Sequence, residues 1–460
     1  MTYFVTGGTG FIGRFLVSKL LARKGQIHVL VRKGSQKKFD ETAAKMGWDR
    51  KRVLPVVGDL AKPKLGLTAA QLKALTGKVK HVFHLAAIYD LTADAESQRI
   101  ANVEGTKHAM EFAGAVKAAC FHHTSSIAAA GLYPGVFRED MFDEAEGLND
   151  PYFRTKHDSE GLVRTGCPVP YRIYRPGVVI GHSKTGEIDK IDGPYYLFSL
   201  IKKMRQTLPQ WMPTLGIEGG KINLVPVDFV VDAMDYIAHK RGLDGKCFHL
   251  VDPDPERIGE VMNTFARAAH APEMSMRIDA RMFAVVPGYI RSAIKNLPPV
   301  QRFSKAVLKD LKIPREALGY ITYPTRFDTR EVERALKGSG ISVPKLEDYA
   351  WRLWDYWERH LDPDLFIDRS LRGKVENKVV LITGGSSGIG LAAAHKIADA
   401  GAKVVIVARG EEELFKARDE IKAKGGKCFA YTADLTDLAS CDELIQKVQA
   451  EIGPVDILIN

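Results

Sequence analysis

Two side chains able to take part in proton transfer, Tyr152 and Lys156, stand four residues apart. In a helix this spacing places them on one face. A phenol at its ordinary pKa of about 10 exchanges protons poorly at neutral pH, and a neighbouring ammonium is expected to lower that pKa. Upstream, hydroxyl side chains occupy 124–126 at the end of an apolar segment. A hydroxyl at such a strand end can hold a substrate carbonyl oxygen, because open parallel sheets bind ligands there.

The elements that must position these groups begin with a glycine-rich turn at Thr6–Gly13, which is repeated at Thr383–Gly390. Each turn follows a short apolar strand and opens an apolar-periodic helix. In the first turn Gly7, Gly10 and Gly13 let the backbone approach a pyrophosphate, which the helix N-terminus then binds through amide donors. The sequence therefore predicts two dinucleotide-binding domains in tandem.

The residues after the second strand of each unit indicate the cofactor. Arg32 and Arg409 each follow the last glycine of their turn by 19 positions (32 − 13 and 409 − 390). NAD sites usually have a carboxylate near this position, whereas an arginine suits the 2′-phosphate of NADPH. NADPH is predicted, although both arginines could be solvated strand ends. Asp59 could bind the adenine amino group or could be an ordinary turn residue.

Strands and helices alternate through the first part of the chain, which predicts an α/β fold with a doubly wound parallel Rossmann sheet. We place the nucleotide-binding core at 1–181 and a smaller substrate-covering part at 182–360. A polar linker is expected at 361–376, followed by a second Rossmann domain at 377–460. That domain ends inside an apparent fourth strand, so we expect it to be truncated.

Composition narrows the function classes. Lys and Arg number 66 against 56 Asp and Glu, a net charge of +10, which suits an anionic cofactor, substrate or membrane surface. No nucleic-acid recognition motif is present, so a nucleic-acid partner is not expected. The five cysteines are scattered without a CxxC pair, which argues against a disulfide framework and a thiolate metal site. No signal peptide or membrane span is found, so we expect a cytoplasmic protein without a bound metal.

Basic and apolar residues interleave at 281–309, a stretch that has no acidic residue. This pattern predicts peripheral membrane contact or the mouth of an acyl tunnel. The alternative is a helical cap with a solvated basic face.

The ordered motifs resemble the extended short-chain dehydrogenase/reductases over most of residues 1–360. They are Thr6–Gly13, 58–60, 84–87, 102–106, 125–126, Tyr152–Lys156 and Tyr174–Gly177. The resemblance implies Ser126 as the carbonyl-orienting residue, with Ser125 as runner-up, Tyr152 as proton donor and Lys156 as its tuner. It implies cofactor contacts at Thr6, Gly7, Gly10, Phe11, Ile12, Gly13, Arg32, Asp59, Leu60, Ala86, Tyr152, Lys156, Pro176 and Gly177. Asn102 and Thr106 belong to the pattern or are simply helix-start residues.

The second domain resembles the short form of the same superfamily. Its expected cofactor contacts are Gly384, Gly388, Gly390, Arg409 and Asp434. The serine and Tyr-x-x-x-Lys positions of that form would lie beyond residue 460. The sequence given for this half therefore predicts cofactor binding without chemistry.

An extended domain followed by a short-form domain is similar to bacterial fatty acyl-CoA reductases. The segments 137–146, 151–156, 193–196 and 223–228 add to this resemblance. It implies NADPH-dependent reduction of a fatty acyl-CoA or fatty aldehyde to a fatty alcohol, with the aldehyde step in residues 1–360. Alternatively, the extended domain at 1–360 could perform both reductions, from the thioester to the aldehyde and from the aldehyde to the alcohol.

Three rival readings are an extended reductase with another substrate, a cofactor-binding scaffold and a basic nucleic-acid binder, the last disfavoured by the absence of a recognition motif. An extended reductase of this kind could act on a sterol, a polyketide or a sugar nucleotide. A cofactor-binding scaffold without turnover is disfavoured by the complete set Ser126, Tyr152 and Lys156. A homo-oligomer is compatible with the sequence, which does not fix the oligomeric state.

Overall fold

The structure is a computed structural model that describes residues 1–87, 94–279 and 323–460. It divides the chain into two units, Met1–Leu361 and Asp362–Asn460. The interleaved basic and apolar stretch at 281–309 lies outside the described residues, so the membrane or tunnel prediction stays a prediction.

The first unit alternates strands and helices. Its strands are β1 (Thr2–Thr6), β2 (Gln26–Val31), β3 (Val53–Val57), β4 (Val79–His84), β5 (Cys120–Thr124), β6 (Gly135–Phe137), β7 (Tyr171–Pro176), β8 (Val178–Ile180), β9 (Thr214–Glu218), β10 (Leu224–Pro226), β11 (Cys247–Leu250), β12 (Met274–Asp279) and β13 (Thr325–Phe327). Its helices are α1 (Phe11–Leu21), α2 (Gln36–Lys45), α3 (Ala69–Leu75), α4 (Ala95–Arg99), α5 (Gly105–Ala115), α6 (Pro151–Gly166), α7 (Phe198–Thr207), α8 (Val227–His239), α9 (Ile258–Ala268), α10 (Arg330–Leu336) and α11 (Leu346–His360).

Seven of the described strands form one sheet in the order β11-β7-β5-β4-β1-β2-β3, and every neighbouring pair is parallel. Successive side chains of β1 enter opposite cores, because strand residues alternate between faces. Val5 packs in the core that includes residues of α1 and α8, whereas Phe4 packs in the core that includes Phe112. This doubly wound α/β architecture confirms the predicted fold class.

The strand order reverses between β1 and β4, which creates the crevice where open α/β sheets bind ligands. The carboxyl ends of β1, β4, β5 and β7 meet there. They deliver the segments that begin at Gly7, Leu85, Ser125 and Gly177. Side chains separated widely in the sequence are thereby brought to one edge of the sheet.

A separate apolar core lies in the part of the first unit after β7. Phe198 of α7 packs edge-on or tilted against Phe265 of α9 and against Trp354 and Trp357 of α11, with ring centroids 4.8–5.5 Å apart. Trp357 is fully buried. This core supports one side of the crevice and belongs to the region predicted to cover the substrate.

The second unit repeats the strand–turn–helix pattern. Its strands are β14 (Val379–Thr383), β15 (Lys403–Ala408), β16 (Lys427–Thr432) and β17 (Ile457–Ile459), and its helices are α12 (Leu371–Val375), α13 (Gly388–Asp399), α14 (Glu411–Ala423) and α15 (Leu438–Glu451). The strands are parallel in the order β16-β15-β14-β17. The predicted linker 361–376 contains α12 and a short 3-10 turn at Pro363–Phe366. Among the described residues, no helix combines the length and apolar character needed to span a membrane.

Candidate active site

A cavity of about 390 Å³ occupies the crevice at the carboxyl ends of the strands in the first unit. It brings together ten of the predicted site residues: Gly7, Gly10, Phe11, Ile12, Gly13, Ser126, Tyr152, Lys156, Pro176 and Gly177. The runner-up Ser125 also lines it. The other predicted cofactor residues of this unit, Thr6, Arg32, Asp59, Leu60 and Ala86, do not.

The glycine-rich turn is packed too closely to accept side chains. Gly7 has φ +71°, and a Cβ there would lie 2.7 Å from the nitrogen of Ala86. A Cβ on Gly13 would lie 2.1 Å from the carbonyl oxygen of Gly7. Gly10 caps α1, so the amides of the first helical turn face the cavity without a side chain in front of them. This bare helix N-terminus fits the pyrophosphate of a dinucleotide.

Thr6 and Ala86 have structural contacts behind this turn. The Thr6 hydroxyl accepts a hydrogen bond from the Ala86 nitrogen at 3.3 Å and lies 2.8 Å from Nδ1 of His84. These bonds join the ends of β1 and β4. Neither residue lines the cavity, so direct cofactor contact by either stays a prediction.

The residues predicted to bind the adenosine half of NADPH lie at the ends of β2 and β3. Arg32 is exposed and is followed by exposed Lys33, with no carboxylate at the end of β2. The Asp59 carboxylate accepts a hydrogen bond from the Ala61 nitrogen at 3.0 Å, and the Leu60 carbonyl oxygen lies 2.7 Å from Nδ1 of His108. Asp59 therefore shapes a turn, and its adenine contact remains a prediction.

Helix α6 presents Tyr152 and Lys156 to the cavity. Its first turn is fixed by Asp150, whose carboxylate accepts hydrogen bonds from the backbone nitrogens of Tyr152 and Phe153 at 2.8 and 3.4 Å. Pro151 occupies the first helical position, where the missing N–H costs nothing. The cap and the proline thus set where the helix begins and which residues face β5.

Burial raises the pKa of Tyr152 to about 12, and a hydrogen bond with Ser126 opposes part of this rise. The expectation that Lys156 would lower this pKa is wrong here. The Lys156 ammonium donates to the carbonyl oxygen of Thr124 at 3.4 Å, and burial dominates the environment of the phenol. A phenol in this state stays protonated at neutral pH.

Burial also lowers the pKa of Lys156 to about 8, while the carboxylate of Glu160 opposes part of that fall. The neighbouring His84 and His123 are buried as well. Burial is the main cause that lowers their pKa values, followed by Lys156 for His84 and by His84 and Lys156 for His123. These histidines are therefore neutral at pH 7. Lys156 is the cation that faces the cavity beside Tyr152.

The structure distinguishes the two serine candidates. Ser126 caps the 3-10 turn Ile127–Ala130, its Oγ accepting from the Ala128 nitrogen at 3.2 Å, and it bonds to Tyr152. The Ser125 hydroxyl instead donates to Oε2 of buried Glu160 at 2.7 Å. Ser126 is thus the serine placed beside the phenol, as the resemblance implied.

Asn102 and Thr106 lie near this group without lining the cavity. Asn102 is in a π-helical turn at Ile100–Glu104, and its amide donates to Oγ1 of Thr155 on α6 at 3.2 Å. The Thr106 hydroxyl donates to the carbonyl oxygen of Asn102 at 2.6 Å. Asn102 thus connects the π turn to α6, whereas Thr106 connects it to α5 and also lies 3.1 Å from Nε2 of His84 on β4. Such π turns often occur at functional sites.

Sequence reasoning missed one wall of the cavity, which includes Ile188, Asp189, Lys190 and Asp192. Arg14 ties this segment to the glycine-rich turn through ion pairs with Asp189 and with Glu187, at 2.5 and 3.0 Å. No local motif marks the segment, because its role comes from a contact between distant parts of the chain. The position of Arg14 directly after Gly13 was the available signal.

An aromatic group on another wall was also missed. The cavity is lined here by Tyr323, Phe153 and Phe327. The ring centroid of Tyr323 lies 6.2 Å from that of Phe153 and 6.2 Å from that of Phe327. The Tyr323 hydroxyl donates to the carbonyl oxygen of Gly131 at 2.7 Å. These rings make the cavity apolar next to Tyr152.

The second unit builds the same glycine cradle. Gly384 and Gly388 have φ of +62° and +56°, and a Cβ on Gly390 would lie 2.3 Å from the carbonyl oxygen of Gly384. Arg409 is exposed directly after β15. The Asp434 carboxylate accepts a hydrogen bond from the Thr436 nitrogen at 3.0 Å. Cofactor binding by these residues stays a prediction.

Comparison with known proteins defines the class. Residues 5–234, half of the chain, match the NAD-binding family model described as male sterility protein, and residues 378–460 match the model described as short chain dehydrogenase. The protein is an NAD(P)-dependent oxidoreductase with the extended short-chain dehydrogenase/reductase fold. Its first unit belongs to the male sterility protein family.

Several known proteins are similar to the chain. Glycine betaine reductase ATRR of Emericella nidulans is 28% identical over 489 residues, an alignment that covers 100% of this chain and 37% of that protein. The terminal R domain from the myxalamid PKS-NRPS biosynthetic pathway has a TM-score of 0.62 and 25% identity, covering 78% of this chain and 90% of that domain. The uncharacterized oxidoreductase Rv1543 of Mycobacterium tuberculosis is 50% identical over 95 residues, covering 20% of this chain and 28% of that protein. The chain thus spans well under half of the curated relatives.

Proposed function

We propose that the first unit catalyses the NADPH-dependent reduction of an acyl carbonyl, with a long-chain fatty aldehyde or fatty acyl-CoA as substrate and a fatty alcohol as product. The observation that carries this proposal is a single cavity shared by the glycine-rich turn and by Ser126, Tyr152 and Lys156. Hydride transfer requires the cofactor and the carbonyl to lie side by side, and this cavity places the cofactor turn next to the residues that would bind the carbonyl.

In the proposed reaction NADPH, when bound, supplies a hydride to the carbonyl carbon. The Ser126 hydroxyl holds the carbonyl oxygen, and Tyr152 gives that oxygen a proton as negative charge develops on it. Lys156 is the cation beside them, and its positive charge favours the negative charge that develops on the carbonyl oxygen. An aldehyde becomes an alcohol in one such step. A thioester must first take up one hydride and one proton, which releases the free thiol and gives the aldehyde, so the alcohol is reached only after a second hydride transfer.

The choice of NADPH rests on the end of β2. Arg32 and Lys33 are exposed there, and no carboxylate stands at Val31 or at the two positions after it. A 2′-phosphate gains a charge-assisted hydrogen bond from a guanidinium, whereas a bare ribose does not. We therefore infer a preference for NADPH over NADH.

The choice of an aliphatic substrate rests on the cavity walls. Beyond Tyr152 the lining includes Ile127, Ala128, Val179, Ile222 and the aromatic group of Phe153, Tyr323 and Phe327. Burying an alkyl chain against such residues is favourable by roughly 0.8 kcal/mol per methylene. A sugar nucleotide could find hydrogen-bonding partners at the wall of Asp189, Lys190 and Asp192, but these apolar side chains offer it none.

We further propose that the first unit performs the aldehyde step and that the thioester step belongs to the short-form domain, as the resemblance to fatty acyl-CoA reductases implies. A single domain performing both reductions is the alternative within this proposal.

A second candidate is reduction of an acyl thioester held on a carrier protein. The similarity to a terminal R domain of a PKS-NRPS pathway favours it. The same serine, tyrosine and lysine would act, and only the group attached to the sulfur would differ.

The test is NADPH oxidation with decanal and decanoyl-CoA in parallel, comparing the native chain, Tyr152→Phe and a matched control. Tyr236→Phe removes the same hydroxyl from α8, away from the cavity lining. Decanal turnover that is lost in Tyr152→Phe and kept in Tyr236→Phe supports the aldehyde step. Turnover of decanoyl-CoA as well assigns both steps to the first unit. No turnover of either compound would refute the fatty-acyl substrate.

A further inference from the structure

Behind the cavity lies a fully buried ion pair that the proposed chemistry does not use. The guanidinium of Arg175 binds the carboxylate of Glu160 through two hydrogen bonds of 2.6 and 2.9 Å, and both side chains are 0% exposed. Arg164 adds a third bond to the same carboxylate at 2.8 Å. Removing charges from water costs several kcal/mol per ion, so such a pair is weak evidence for stabilisation and invites another explanation.

The ion pair joins the three elements that carry the active site. Glu160 lies on α6, one helical turn after Lys156 and on the same face as Tyr152. Its Oε2 accepts from the hydroxyl of Ser125, the residue directly before Ser126 at the end of β5. Arg175 lies at the end of β7, directly before the cavity-lining pair Pro176 and Gly177.

Other contacts hold the pair in one geometry. Arg175 donates to the Met141 carbonyl oxygen at 2.9 Å and lies 3.1 Å from Nε2 of His249. The His249 nitrogen donates to Glu139, whose carboxylate also accepts from the nitrogen of Val332, at 2.9 and 3.0 Å. The position of Glu160 is therefore set by β7, β11 and α10 rather than by α6 alone.

We propose that Glu160 is a positioning residue of the active site, which fixes the serine turn through Ser125 and supplies the negative charge that faces Lys156. The inference rests on the proposed function, because it assumes that Ser126, Tyr152 and Lys156 act on the carbonyl. It explains why a charged pair occupies a place that apolar side chains could fill.

The electrostatics agree with this geometry. Burial alone would raise the pKa of Glu160, but Arg175 and the neighbouring bonds hold it well below its ordinary value, so the carboxylate is charged. This charge opposes the burial that lowers the pKa of Lys156. The titratable and charged groups around the pair and Lys156 are His84 on β4, His123 on β5, Glu139 after β6, Tyr152 and Arg164 on α6, Arg175 on β7, and Cys247 and His249 on β11.

Glu160→Gln tests the charge, and Asp158→Asn is the matched control because Asp158 lies on the same helix outside the cavity lining. The pKa of Lys156 is read from 13Cε-labelled lysine by NMR, with the resonance assigned by Lys156→Arg. We expect Glu160→Gln to lower this pKa by about one unit or more, as loss of a nearby opposite charge does. We also expect activity to fall at alkaline pH as Lys156, with its pKa of about 8, loses its proton, and we expect this fall to occur at lower pH in Glu160→Gln.

Ser125→Ala tests the positioning and leaves the charge in place. It should lower kcat about ten-fold, because small misplacements of catalytic groups have large effects, and it should leave the pKa of Lys156 unchanged. Glu160→Asp should leave the pKa of Lys156 at its native value, because the negative charge is kept. It should still reduce kcat, because the shorter side chain holds Ser125 less well.

The proposal is overturned if Lys156 titrates alike in the native chain and Glu160→Gln. If Glu160→Gln does not fold, native kcat in both Ser125→Ala and Glu160→Asp overturns it instead. The NMR titration is independent of turnover, so it still decides the inference if the fatty-acyl substrate of the proposed function fails.

Discussion

Gly13→Ala is the sharpest test of the cofactor site. The new methyl carbon would lie 2.1 Å from the carbonyl oxygen of Gly7 and 2.8 Å from Cα of Gly8. Ordinary carbon contacts are about 3.5–4.0 Å, and both neighbours are backbone atoms that cannot rotate away. The turn must therefore open, and the amides of the first turn of α1 must move with it.

The size of the effect follows from what the turn does. Displacing the amides that would bind the pyrophosphate removes two or more charge-assisted hydrogen bonds of about 1.5–3 kcal/mol each. We expect the Kd for NADPH to rise at least 100-fold, since each 1.4 kcal/mol corresponds to a factor of ten. Nothing in the contact predicts a change at Ser126 or Tyr152.

The measurement is NADPH binding by fluorescence or calorimetry, with thermal unfolding run in parallel. Gly166→Ala is the control, because its added carbon meets only the terminal methyl of Met110 at 3.8 Å. A folded Gly13→Ala protein with a Kd within three-fold of the native value would refute the assignment of this turn to the cofactor. The second unit has its own glycine-rich turn, which could also bind NADPH. Titrating the Gly390→Ala variant with NADPH in parallel therefore distinguishes binding at the two turns.

Two further predictions concern the cofactor preference and the pH dependence of stability. Arg32→Ala should weaken NADPH binding about ten-fold and leave NADH binding unchanged, as loss of one phosphate contact does; equal weakening of both would contradict the assignment of Arg32 to the 2′-phosphate. Burial lowers the pKa of His81, His84 and His249 to about 3. Their neutral forms stabilise the fold above the unfolded pKa of about 6.5, and this contribution is lost as pH falls toward 3, so urea unfolding should show about 2 kcal/mol less stability per histidine at pH 5 than at pH 7. Equal urea midpoints at the two pH values would show that these histidines are not buried neutral.

The sheet and the cofactor turn could be predicted from the sequence because their determinants are local. The turn at Gly7–Gly13 needs glycine at fixed positions, and the flanking strand and helix are contiguous with it. The pairing of β1 with β2 and β4 follows from the same repeated unit. These features are therefore visible in a short window of residues.

The choice between Ser125 and Ser126 could not be made locally. Neighbouring residues at the end of an extended strand point in different directions, and only the contact of Ser125 with Glu160 shows which serine remains for Tyr152. The raised pKa of Tyr152 could not be predicted from the sequence for a related reason. A lysine one turn away is visible in the sequence, whereas the burial that dominates the phenol comes from the assembled fold.

The wall at Ile188–Asp192 illustrates the same limit. Its link to the glycine-rich turn is an ion pair between Arg14 and residues far along the chain. Acidic and basic residues in a loop have many potential partners, and the sequence does not rank them.

The second core of the first unit, built on Phe198, Phe265, Trp354 and Trp357, has a consequence for how this protein can change over evolution. The nucleotide sheet has apolar layers of its own on both faces and shares none of these four rings. Mutations that resize this second core can therefore reshape the side of the crevice that receives the substrate, while the strand ends that hold the cofactor keep their support. Substrate specificity can therefore evolve while the cofactor site stays unchanged.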